Sequence, residues 1–234
     1  MNYNVYKGGI PALAYPHHDS TSPVSLSFII KCNDRRAQMT LCLQSSLPFE
    51  GFDDEQTVIL QYDAGNLVPG AISLGPATIP LPQARLDALA RAGNAQIRTL
   101  SIKLKRACPV WCHPSVSLKP RSSCDARFTQ LSSLAQATQI NVVFDYNWLH
   151  RGLHAAFLRL VEHPDELGNF PVGQRYREQR LRQVDWTVFS TACADVGADA
   201  AAEIEEGELP PVYAEASSKR PRQGEYLVHQ IGDD

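Results

Sequence analysis

The chain has 234 residues, 44% of them hydrophobic, and carries 22 Lys and Arg against 25 Asp and Glu. That apolar content excludes disorder over the whole length, and no apolar run approaches the ~20 residues needed to cross a bilayer. The N-terminus, MNYNVYKGGIPALAY, lacks a basic stretch followed by an apolar one, so a non-membrane, non-secreted protein with one main folded body is expected.

Residues 1–22 are expected to form an irregular segment. From Val24 onward the pattern is that of strands. Val24, Leu26, Phe28, Ile30 and Cys32 alternate with mostly polar neighbours, and after Asn33-Asp34-Arg35 the alternation resumes at Ala37, Met39, Leu41 and Leu43. Side chains on a strand alternate faces, so two such runs joined by a few turn-forming residues predict an antiparallel hairpin. Val58, Leu60 and Tyr62 predict a third strand, and 72–74, set between Pro69-Gly70 and Gly75-Pro76, a fourth. Together these read as a β-meander.

A helix is expected next, entered at Pro82, striped by Leu86, Leu89 and Ala90, and stopped near Gly93. In 97–106, Leu100, Ile102 and Leu104 alternate with Ser101, Lys103 and Lys105, which predicts a strand whose lysines face water. The stretch 125–161 reads as helix, strand, helix. Phe128, Leu131, Leu134 and Ala135 recur at helical spacing, Ile140, Val142, Val143 and Phe144 form a short run covered on both faces, and Trp148, Leu149, Leu153, Phe157 and Leu160 mark an amphipathic helix ending near His163-Pro164. The fold class expected is therefore α+β: an N-terminal antiparallel β-meander followed by a mixed helix and strand region, with a single body over 23–190 and a disordered acidic tail over 191–234.

Charge divides the same way. From Asp195 to the end there are ten acidic and three basic residues, which leaves a net of +4 on the preceding 194. A surplus of that size does not by itself argue for nucleic acid, and the opposite signs allow the tail to fold back loosely on its own body.

Several residue groups are candidates for chemistry. Cys108, Cys112 and His113, with Cys124 further on, are the nearest approach to a zinc constellation, but one knuckle lacks the second half of a zinc site; no metal and no cofactor are expected, and the six cysteines read as buried free thiols. Asp145, at the C-terminal end of a strand, with His150 and His154 four apart on a helix face, outlines an enzyme reading, a degenerate nuclease or hydrolase. Capping of the following helix explains Asp145 as well, and no P-loop, GxGxxG or GxSxG is present to name a catalytic residue. Arg175, Arg177, Arg180 and Arg182 surround Tyr176, a basic patch that suits phosphate with a base stacked on the ring; since Glu178 and Asp185 dilute it, a solvated helix face is the plainer reading.

The tail carries two short signals. Pro210-Pro211-Val212-Tyr213 matches the Pro-Pro-x-Tyr ligand of WW domains, in which polyproline geometry is preformed. Lys219, Arg220 and Arg222 have the spacing of a monopartite nuclear import signal read by importin, with Ser217 and Ser218 placed to weaken it on phosphorylation. In combination, Cys-Pro-Val-Trp-Cys at 108–112, Phe-Asp-Tyr-Asn-Trp-Leu-His at 144–150, Asp-Trp-Thr-Val-Phe-Ser at 185–190 and Pro-Pro-Val-Tyr-Ala-Glu-Ala-Ser-Ser-Lys-Arg-Pro-Arg at 210–222 resemble a family of proteins from filamentous fungi, over most of the chain from Ser25 onward. The resemblance implies a fungal, non-secreted setting and carries over no activity or catalytic residue. The expectation is a non-enzymatic interaction or regulatory protein of the nucleus, or of nucleus and cytoplasm, associated with transcription or chromatin. The alternatives are the enzyme and a cytoplasmic adaptor for a WW-domain ubiquitin ligase.

Overall fold

A computed structural model describes residues 2–4, 9–77, 79–114, 118–122 and 125–189, with side chains from residue 9. In chain order the strands are β1 (Asn2–Asn4), β2 (Ile10–Pro16), β3 (Val24–Asn33), β4 (Gln38–Leu47), β5 (Gln56–Asp63), β6 (Ser73–Pro76), β7 (Ile97–Lys103), β8 (Val110–Cys112), β9 (Gln139–Asp145) and β10 (Arg182–Val184). The helices are α1 (Gln83–Leu89), α2 (Ala126–Gln136), α3 (Arg151–Glu162) and α4 (Gly173–Glu178). All ten strands join one sheet in the order β10-β8-β5-β4-β3-β2-β9-β7-β6, with β1 on β3, and every ladder is antiparallel. The class is α+β. Among the described residues no helix is long and apolar enough to cross a membrane.

Alternation in the sequence becomes two unequal faces. Phe28 and Ile30 on β3, Leu41 and Leu43 on β4, Leu60 and Tyr62 on β5, and Val142 and Phe144 on β9 all point into the main core. Helices α2 and α3 close that face with the residues whose spacing marked them: Phe128, Leu131, Leu134 and Ala135 from one, Leu153, Phe157 and Leu160 from the other, each buried. Phe144 ties the layers together, its ring centroid 5.2 Å from Phe28 and 6.1 Å from Phe157. The β3–β4 hairpin turns through a 3-10 turn at Asp34–Arg36, with Ala37 in the left-handed region at φ 46°.

Among the described residues the reverse face is covered in two places. Leu89 of α1 packs on Leu13, Tyr15 and Val143 at one flank. At the other, Val172 and Tyr176 of the α4 segment pack on Cys42, Ile59 and Trp111. Between the flanks the reverse-face positions Ser25 and Ser27 of β3 and Gln44 and Ser46 of β4 are polar.

Two expectations are corrected. The segment 1–22 is not irregular throughout: β2 is an interior strand between β3 and β9. Its prolines sit where a ladder is missing, Pro11 before the β9 pairing begins at Ala12 and Pro16 after the β3 pairing ends at Ala14, which is how a strand tolerates them. The run at 72–74 does not extend the meander; β6 lies at the far edge of the sheet, paired with β7, because a run that short records nothing about which neighbour it meets. The tail 191–234, with its expected disorder, lies outside the described residues.

Candidate functional site

Asp145 ends β9 with its side chain fully buried, and its carboxylate gathers main chain. Oδ2 accepts from the Arg91 N–H at 2.9 Å, and Oδ1 accepts from the Gln96 N–H at 2.8 Å and the Asn147 N–H at 3.0 Å. The last of these caps the 3-10 turn Tyr146–Trp148 rather than the helix that follows. The other two hold the link between α1 and β7. Three N–H groups on one ion are a structural clasp that replaces the hydration the carboxylate gave up.

His150 and His154 do not converge with it. His150 is the N-cap of α3, its Nδ1 accepting from the Gly152 N–H at 3.2 Å. His154 stacks on Tyr146 at 4.9 Å between centroids and places Nε2 3.2 Å from the Leu149 carbonyl. A cavity of about 350 Å³ beside them is walled by Arg91, Asn147 and Arg151, and Asp145 is not among its walls. Arg91 is itself engaged, donating to the Asn147 carbonyl at 2.7 Å and lying 5.7 Å from the Trp148 ring centroid.

The cysteine knuckle is a strand. Val110, Trp111 and Cys112 form β8, so Trp111 points to the reverse face while Cys108 and Cys112 point into the main core. Burial pushes the Cys108 thiol up to about 12. His113 packs edge-on against Phe52, 5.4 Å between centroids. Cys124 lies outside the described residues, as does Cys193. Among the described residues no group of three or more His, Cys, Asp or Glu stands close enough to hold a metal ion.

The arginine cluster is rearranged by the fold. Tyr176, read as a stacking platform, is buried: its ring meets Trp111 edge-on at 5.3 Å and its hydroxyl donates to the Cys42 Sγ at 3.2 Å. It is thus unavailable to a base. Arg175, Arg177, Arg180 and Arg182 are all exposed, but on different elements: two on α4, Arg180 beyond it at φ 61°, and Arg182 on β10.

Arg175 belongs to a site that sequence reasoning missed. A hollow of about 380 Å³ opens on the reverse face, floored by β3, β4 and β5 and walled by α4. Lys31 rises from the floor and Arg175 from the wall, with Gln44, Thr57, Gln179 and His113 around them. Burial, and then the Arg175 charge, lower the Lys31 pKa below the usual lysine value. Glu55, also on the rim, is bridged to Arg127 at 3.4 Å. The only trace in the sequence is a lysine and glutamines on polar alternate positions, which read as an ordinary solvated face.

A chain of hydrogen bonds holds the wall in place. The Trp111 Nε1–H donates to Gln61 Oε1 at 2.6 Å, and Gln61 Nε2 donates to both Asp63 carboxylate oxygens at 2.8 Å. The Thr40 hydroxyl donates to Asp63 Oδ1 at 2.8 Å and accepts from the Phe170 N–H at 3.1 Å, just ahead of α4.

No protein-family model matches the chain, and neither a curated protein nor a solved structure does. The tail signals, Lys219, Arg220 and Arg222 and the motif Pro210, Pro211 and Tyr213, lie outside the described residues.

Proposed function

We propose that this chain is a non-enzymatic interaction or regulatory protein of the nucleus, acting on transcription or chromatin through protein contacts. Importin takes its tail at Lys219, Arg220 and Arg222, and a WW-domain protein takes Pro210, Pro211 and Tyr213. The observation that carries the reading is the use made of Asp145. The carboxylate best placed for catalysis is occupied by three main-chain N–H groups away from both histidines, whereas a general acid or base has to reach a substrate. The tail motifs are short extended ligands of the kind that partner domains read.

Nuclear import supplies the test. At 25.9 kDa the chain is small enough to enter passively, so it is fused to a fluorescent cargo too large to diffuse through pores. Replacing Lys219, Arg220 and Arg222 together by Ala is expected to leave the fusion in the cytoplasm, because importin pockets read positive charge on an extended backbone. Tyr213→Ala is expected to leave import intact. A triple-Ala fusion that remains nuclear removes the import argument. A wild-type fusion held in the cytoplasm favours the WW-ligase adaptor instead.

A further inference from the structure

We propose that Ser22 is a phosphorylation site for a proline-directed protein kinase, and that Arg85 of α1 holds the phosphate once it is attached. Ser22-Pro23 is the only place in the chain where a Ser or Thr stands directly before Pro. A Pro after the acceptor residue brings no N–H to be buried unpaired in a kinase groove. It also biases the residue before it toward extended backbone.

The fold presents this dipeptide to solvent. The connection from β2 to β3 runs through residues 17–23, and His17, His18, Ser20, Thr21 and Ser22 are all exposed. Thr21 is committed to the turn, its N–H and hydroxyl donating to Asp19 Oδ1 at 3.0 and 2.6 Å. The Ser22 hydroxyl makes no hydrogen bond among the described residues. In the transfer its Oγ bonds to the γ-phosphorus of ATP as the bond to the bridging oxygen breaks. ADP leaves, and the hydroxyl proton passes to the catalytic carboxylate of the kinase.

Arg85 supplies the receiving charge. Its Nη1 lies 3.5 Å from the Pro23 carbonyl oxygen and 3.3 Å from the Ser25 hydroxyl. The guanidinium therefore sits beside the residue that follows Ser22, one Cα step of about 3.8 Å away. Both present contacts are to neutral oxygens, and a phosphate is a stronger acceptor for a guanidinium than either. Asp19, the one carboxylate of the turn, has Oδ1 occupied by Thr21. Because Leu89 of α1 packs on Leu13, Tyr15 and Val143, a phosphate on Ser22 ties this cap of the reverse face to the β2–β3 turn.

The test incubates the full chain with a mitogen-activated protein kinase and MgATP and locates phosphate by peptide mass spectrometry. Phosphate on Ser22 is expected, and Thr21→Ala is expected to keep it. Ser22→Ala is expected to abolish incorporation in this turn, and Pro23→Ala to lower it about tenfold through the N–H it restores. Incorporation in the turn that persists in Ser22→Ala, or a folded chain left unmodified, overturns the assignment. Hydrogen exchange then reads the Arg85 contact. The N–H groups of Arg85, Leu86 and Ala90, bonded to the Pro82 and Leu86 carbonyls, are expected to exchange about threefold more slowly in the phosphorylated chain. Arg85→Ala is expected to remove that difference while Ser22 is still phosphorylated. Equal exchange with and without phosphate in the wild-type chain overturns the Arg85 contact. The import assay reads other residues, so either proposal can fail without the other.

Discussion

Asp145 shows how far one side chain can be read from its neighbours in sequence. As a helix cap, its loss would cost about 1 kcal/mol. The fold gives it three main-chain donors and no solvent, and hydrogen bonds to an ion are worth roughly twice neutral ones. Asp145→Asn turns a carboxamide N–H toward a backbone N–H, so a loss of about 3 kcal/mol in urea denaturation is expected; a loss under about 1 kcal/mol would show the clasp to be dispensable. The thiols follow the same logic of burial. Cys42 and Cys108 are both pushed up to about 12, and the thiolate is the nucleophile. Iodoacetamide at neutral pH is therefore expected to spare Cys32, Cys42, Cys108 and Cys112 in the folded chain and to label all four after unfolding; rapid native labelling of Cys42 or Cys108 would contradict this. These groups are protonated in both states at low pH, while the unfolded thiols ionise first, near pH 8.5. Their contribution to stability is thus complete below that value and is lost as pH rises toward 12.

At the scale of elements, legibility followed periodicity. Helices α2 and α3 declare themselves because an apolar stripe at helical spacing has one structural use, and the same holds for β3, β4 and β5 with their two-residue period. The N-terminal strand β2 escaped because Ala12 and Ala14 mark its inward face faintly and two prolines bracket it, although pairing on alternate sides makes both harmless. The hollow escaped for a different reason: Lys31 and Arg175 are 144 positions apart in sequence, and only the packing of α4 brings them together. That packing depends on Thr40, whose hydroxyl connects Asp63 to the Phe170 main chain. Thr40→Val keeps the shape but leaves the Phe170 N–H without this acceptor, at a cost of about 2 kcal/mol. Faster hydrogen exchange at Phe170 and through α4, with the β3–β4 ladder still protected, is the expected signature. Unchanged exchange there would mean that the wall is held by its apolar contacts alone.

For the molecule as a whole, composition and alternation sufficed for the α+β class, while the order of strands was hidden. No local pattern records that Ala12 faces Phe144 or that β8 sits between β5 and β10. The candidate site was legible only in part. Asp145, His150 and His154 were found as residues, but their separate uses depend on the turn after β9, and Tyr176 changed from a surface platform to a buried anchor once α4 was laid on the sheet.

The place of β2 has a consequence for how the chain comes to be folded. In the ladder order it is the splice between β3 with its neighbours on one side and β9, β7 and β6 on the other. During synthesis β2 can pair with β3 as soon as the first hairpins emerge, yet its second edge waits until β9 has left the ribosome. Closure of the sheet is therefore a late and non-local event, of the kind that slows folding. In the interval a half-built sheet presents an open edge with apolar Leu13 and Tyr15 beside it, the form of intermediate that aggregates most readily. A nascent chain of this protein would depend on chaperones chiefly in that window.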